Sequence, residues 1–111
     1  MSEQFLIFQK VYDLIVALYP VINRIPKSHR MVLGKSLEEG GLILLSQVVK
    51  ANKAEGYVRK TLQTDVCDRI DNLRILIRLT KDLHFLSIKQ YTNLCEKLNE
   101  IGKMAYCWSK S

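Results

Sequence analysis

The chain has 111 residues, 48% of them apolar and 25% charged, which is one domain's worth, too short for two independent cores and too apolar for disorder. Seventeen Lys and Arg against eleven Asp and Glu leave a formal net charge of +6, an excess that favours polyanionic partners by steering and counterion release. A basic surface with no dedicated ligand fits the composition equally well.

Three punctuating segments, residues 25–29 with Pro26, 54–57 with Gly56 and 84–87 with Ser87, cut the chain into four pieces, each long enough for a helix at 1.5 Å per residue. In the first piece Phe5, Phe8, Tyr12, Ile15, Tyr19 and Ile22 recur at spacings of three and four. That row is expected to face the core, with a kink at Pro20, whose ring removes a backbone donor. The second piece starts near Ser28 as a candidate N-cap and is expected to bury Val32, Leu33, Leu37, Leu44, Leu45, Val48 and Ala51. Gly40-Gly41 in its middle costs about 2 kcal/mol relative to alanine, which points to a bend or to close packing.

The third piece places Val58, Leu62, Val66, Ile70, Leu73, Ile77 and Thr80 in near-heptad register, and Leu76, Leu79 and Leu83 widen the apolar arc enough to predict two covered faces. In the fourth, Ser87 followed by Gln90 matches a capping box, and Ile88, Tyr91, Cys95, Leu98, Gly102, Ala105 and Trp108 form one row. Short connections make sequential helices antiparallel, so residues 1–111 are expected to form a single all-α domain, an up-down-up-down four-helix bundle with left-handed 3-4 packing.

Cys67, Cys95 and Cys107 are an odd set in a chain with ample core, so buried thiols in a reducing, cytoplasmic compartment are expected rather than a disulfide scaffold. Glu3 and the absence of a basic cluster before the apolar run 5–8 predict no secretory signal. The longest apolar run, residues 14–22, contains Pro20 and falls short of the roughly 20 residues a bilayer requires, so no membrane partner is expected.

No G-x-x-x-x-G-K, H-E-x-x-H, G-x-S-x-G or paired C-x-x-C motif occurs, so the chain does not read as an enzyme and no cofactor is expected. His29 and His84 sit beside turns with no second His or Cys at ligand spacing, and the recurring Asp65, Asp68 and Asp71 have Arg69 and Arg74 among them. Surface packing and a salt-bridged face account for these better than a metal.

The basic residues concentrate in two places. Arg24, Lys27, His29 and Arg30 surround the first turn, and Arg69, Arg74, Arg78 and Lys81 follow helical spacings along the third piece. Arg74 and Arg78 share one face, where they either pair with Asp71, Asp82 or Glu100 or meet a phosphate backbone or an acidic partner.

The run YDLIVALYPVINRIPKSH at 12–29, V-L-G at 32–34, L-R-I-L-I-R-L at 73–79, K-D-L-H-F-L-S-I-K-Q-Y at 81–91 and E-I-G-K-M-A-Y-C-W at 100–108 together resemble the accessory variability determinant (Avd) proteins of diversity-generating retroelements. The likeness runs nearly the length of the chain. More loosely, the second half is similar to the four-helix proteins encoded by intervening sequences in ribosomal RNA genes. The Avd resemblance implies a four-helix bundle assembled as a homopentamer that binds the reverse transcriptase and its template RNA, and so supports mutagenic cDNA synthesis without catalysing it. It also carries the family's basic third-helix positions onto Arg74 and Arg78, while Gly40-Gly41 departs from it. Apolar residues on more than one face of so short a chain predict self-association independently. The alternative is a bundle of the intervening-sequence type that engages a protein partner and no nucleic acid.

Overall fold

The computed structural model describes residues 3–110, and the side chains of residues 5–108 and 110. Four long helices account for most of it: α1 (Glu3–Arg24), α2 (Lys35–Lys53), α3 (Gly56–Asp82) and α4 (Ile88–Lys110). Each packs on its neighbours in sequence and α4 closes back on α1, so the short connections produce an antiparallel up-down-up-down bundle 44 Å long. No strand occurs among the described residues.

The core is a column of aliphatic side chains, with Ile7, Leu14, Leu18, Leu37, Leu44, Ile70, Leu73, Ile77, Leu94, Leu98 and Ile101 all at most 2% exposed. Burying each such side chain contributes roughly 1.5–3 kcal/mol before conformational entropy is subtracted. In α1 the inward row is Ile7, Val11, Leu14, Leu18 and Val21. Of the row expected to be buried, Ile22 is in the core and Phe8 and Ile15 pack against it, but Phe5 and Tyr12, both 49% exposed, and Tyr19, 36% exposed, face outward together with Val16 at 58%. Both rows have helical spacing, and the branched aliphatic one fills the space between helices. The helix runs uninterrupted through Pro20. Length and a mean hydropathy of 1.7 would let Phe5–Arg24 cross a membrane on composition alone; in this fold one of its faces is core.

Gly40 and Gly41 serve close packing rather than a break, since α2 continues through both. A Cβ on Gly40 would lie 2.8 Å from Leu73 Cδ2, and one on Gly41 would lie 3.3 Å from Ile15 Cγ1 and 3.4 Å from Leu18 Cδ1. The pair therefore lets α2 approach α3 on one side and α1 on the other. Tyr19 donates across the α1–α2 seam to Glu38, which raises the phenol above its ordinary pKa. On the opposite seam Lys10 Nζ meets Glu100 Oε1 at 2.8 Å.

The ends of the helices show where local rules held. Ser87 and Gln90 form the expected capping box: Ser87 N donates to Gln90 Oε1 at 2.9 Å and Gln90 N to Ser87 Oγ at 3.1 Å. Helix α3 ends in a Schellman pattern in which Phe85 N bonds Thr80 O and His84 N bonds Lys81 O, with His84 at φ 65°. Ser28 is not an N-cap. Pro26 holds that position ahead of the helical turn Lys27–His29, which leads through a π-helical turn, Arg30–Gly34, into α2.

That π turn changes the expected register. Leu33 and Gly34 turn inward, and Val32, expected in the core, is 74% exposed. Val58 and Ile88 are likewise exposed, and Ile75, Leu79 and Leu83 lie on an outer, exposed face of α3. Cys67 and Cys95 are half-buried, whereas Cys107 is exposed, contrary to expectation; all three are free thiols.

Candidate nucleic-acid interface

The basic residues singled out from the sequence separate into three groups. Arg69 stands alone. Five residues before Arg74, it is turned by about 140° around the helix into a polar notch between α2 and α3, beside Gln47, Asp65, Asp68 and Asn72. Among the described residues, its Nε and Gln47 Oε1 are buried there without hydrogen-bond partners.

Arg74, Arg78 and Lys81 share the side of α3 that faces α4. Arg74 is half-buried, reaching across the seam so that its Nη1 donates to Asn99 Oδ1, with Asp71 at 3.9 Å from its Nε. Gly102 makes this reach possible, because a Cβ there would lie 2.7 Å from Arg74 Nη2. The guanidinium forms one wall of a cleft of about 480 Å³ whose other walls include Cys67, Asp71, Lys103 and Tyr106. Tyr106 is 60% exposed, with Lys110 Nζ 5.2 Å from its ring centroid. Toward the end of α3, Arg78 Nε lies 3.8 Å from Asp82 Oδ2 and Lys81 Nζ 3.4 Å from Asp82 Oδ1. Lys81 also sits 5.1 Å from the Tyr91 ring centroid.

These ion pairs are long and mostly exposed, and such pairs contribute about 0–1 kcal/mol. They do not neutralise the row. One carboxylate, Asp82, faces two cations, and Glu100, a third candidate partner, is engaged by Lys10 instead.

The third group is at the end of the bundle. Arg24 and Lys27 are exposed, and no ion pair is found for either among the described residues. Arg30 plays a structural part. Its Nη2 donates to Asn23 O at 3.0 Å and Ile25 O at 3.1 Å, and its Nε donates to Ile25 O at 3.3 Å, satisfying carbonyls at and just beyond the end of α1 while keeping its positive charge.

Sequence reading missed the contribution of α4. Asn99, Gly102, Lys103 and Tyr106 recur at i, i+3, i+4 and i+7, the spacing of one helix face, but the eye is drawn to clustered charge rather than to one amide, one lysine and one phenol. Together with Arg74 they offer guanidinium and ammonium donors for phosphate beside an exposed ring on which a base can stack. Among the described residues no group of three His, Cys, Asp or Glu side chains is placed to hold a metal ion.

A solved structure of a Bacteroides thetaiotaomicron protein of unknown function, from the S23 ribosomal protein family, superposes with a TM-score of 0.88 over 99% of this chain and 100% of that one. At 12% identity the likeness concerns the fold alone. No curated protein matches the chain. A family model does, from the aromatic row of α1 through the cleft residues of α4: over residues 5–111 the chain belongs to the bAvd-like family.

Proposed function

We propose that this bAvd-like protein is a noncatalytic accessory subunit of a diversity-generating retroelement. It binds template RNA or cDNA together with the reverse transcriptase and supports mutagenic synthesis while the polymerase performs the chemistry. The α3–α4 cleft carries this reading, because Arg74, Lys103 and Tyr106 combine phosphate donors with an exposed ring. Three free thiols agree with work in the cytoplasm. The outward rows of α1 (Phe5, Tyr12, Val16, Tyr19) and α3 (Ile75, Leu79, Leu83) support a homo-oligomer, which the family resemblance makes a pentamer. Repetition of a weak cleft around a ring raises overall affinity by multivalency without any new kind of contact.

The test is Arg74→Ala combined with Arg78→Ala. Helical content is expected to stay unchanged, and so is an oligomer mass of five times the 12.9 kDa of one chain, while affinity for RNA or for the reverse transcriptase falls. Unchanged binding of the double variant at physiological salt removes these residues from the site. The exposed apolar rows also suit a second reading, a bundle that engages protein alone. It predicts no RNA affinity at any salt, whereas a phosphate-binding cleft loses affinity steeply between low and moderate salt.

A further inference from the structure

One end of the bundle, where α1 hands over to α2 and α3 to α4, combines two properties that the α3–α4 cleft does not use. The first is unbalanced charge. No acidic residue occurs from Leu14 to Leu37, a stretch that contributes Arg24, Lys27, Arg30 and Lys35 to this end, and Lys89 joins them from the start of α4. Of these five, Lys35 is the one with an ion pair among the described residues, to Glu39 Oε1 at 3.8 Å, and the Asp82 carboxylate at the end of α3 is shared by Arg78 and Lys81. The His29 and Phe85 rings, 5.0 Å apart, bring the two connections together.

The second property is exposed aliphatic surface. Met31 is 79%, Val32 74% and Ile88 69% exposed. The first two point outward because of the π turn, in which Lys35 N–H reaches back five residues to Arg30 O. π-helical geometry is less favourable than α and is found mostly as isolated turns at functional positions. Here the Arg30 guanidinium ties it to Asn23 O and Ile25 O, and Gly34 leaves room for the Arg30 side chain, since a Cβ there would lie 3.1 Å from Arg30 Cγ.

We infer that this end is a docking surface for an acidic amphipathic segment of a partner protein, whose carboxylates meet Arg24, Lys27 and Lys89 while its apolar side covers Met31, Val32 and Ile88. A protein fits better than a nucleic acid. The exposed apolar surface here is aliphatic, Met31, Val32 and Ile88, and such side chains gain free energy from an apolar partner rather than from phosphates. Charge complementarity fixes the sign of the partner, and the exposed aliphatic trio fixes its amphipathic character. The proposal concerns a different surface from the cleft and stands or falls separately from RNA binding.

The experiment uses the full chain and three labelled probes in fluorescence anisotropy: a synthetic helical peptide with Leu and Glu on opposite faces, a scrambled peptide of the same composition, and oligouridylate. The amphipathic peptide is expected to bind at least tenfold more tightly than the scrambled one. Met31→Ser with Val32→Ser should weaken it about tenfold, or about 1.4 kcal/mol, and leave oligouridylate unaffected. Lys27→Glu with Lys89→Glu, a pair of exposed positions independent of the π turn, should weaken the same peptide comparably. Equal binding of the two peptides, or full peptide affinity in either double variant, overturns the proposal. Loss of oligouridylate rather than peptide in the Lys27→Glu, Lys89→Glu chain overturns it in favour of a nucleic-acid surface.

Discussion

Gly102→Ala separates stability from function at the α3–α4 cleft. The new Cβ would lie 2.7 Å from Arg74 Nη2 and 3.9 Å from Ile70 Cγ2, so the guanidinium must retreat by roughly 0.7 Å to reach ordinary contact while the core hardly notices. Arg74 is a long side chain, 39% exposed, and can swing toward solvent at the cost of its bond to Asn99, about 0.5–1.5 kcal/mol. Alanine in place of glycine within a helix returns about 0.5–1 kcal/mol. Net stability should therefore stay within about 1 kcal/mol of wild type, measured by urea titration with linear extrapolation. RNA affinity should fall about tenfold, because a charge-assisted contact of about 1.5–3 kcal/mol depends on the guanidinium being held in the cleft. Anisotropy at fixed salt, with Arg74→Ala as the reference, reads this directly. If Gly102→Ala folds normally and binds RNA as wild type does while Arg74→Ala fails to bind, the position of the guanidinium in the cleft is irrelevant and the reasoning is refuted.

Three further substitutions test the packing and the helix ends. Gly40→Ala sets overpacking of fully buried Leu73, about 1–3 kcal/mol, against the same helical gain, so it should lower stability by up to about 2 kcal/mol. Gly41→Ala, with clearances of 3.3 and 3.4 Å, should stay close to wild type in the same urea titration. Ser87→Ala removes the bond to Gln90 N and should cost about 1 kcal/mol, a fall of several degrees in the thermal midpoint followed by circular dichroism.

Features that depend on neighbouring residues were legible in the sequence; those that depend on distant ones were not. The capping box at Ser87 and Gln90 needs only a spacing of three, and it formed. The four helices and their breaks at Pro26, Gly56 and the 84–87 segment follow from the same local chemistry. The glycine pair could be narrowed to a bend or close packing, and only the approach of Leu73, Ile15 and Leu18 decides between them. Periodicity failed on α1, where Lys10 and Asp13 are the only charged residues between Phe5 and Asn23, so two rows of equal spacing competed. Val32 was misplaced because a π turn adds a residue to its turn and has no signature in composition. At the site, Arg74, Arg78 and Lys81 were identified on one ridge, but Arg69 belongs to the other side of the helix, and the α4 residues that complete the cleft enter through an interhelical seam that spacing on one helix does not define.

The outward row of α1 has a cost for the subunit while it is alone. Folding hides one side of this helix and leaves the other, with its phenylalanine, tyrosines and valine, facing water, a surface of the kind that recruits chaperones and seeds precipitation. In the proposed assembly this row would be covered, so conditions that dissociate the assembly should favour precipitation of the lone subunit.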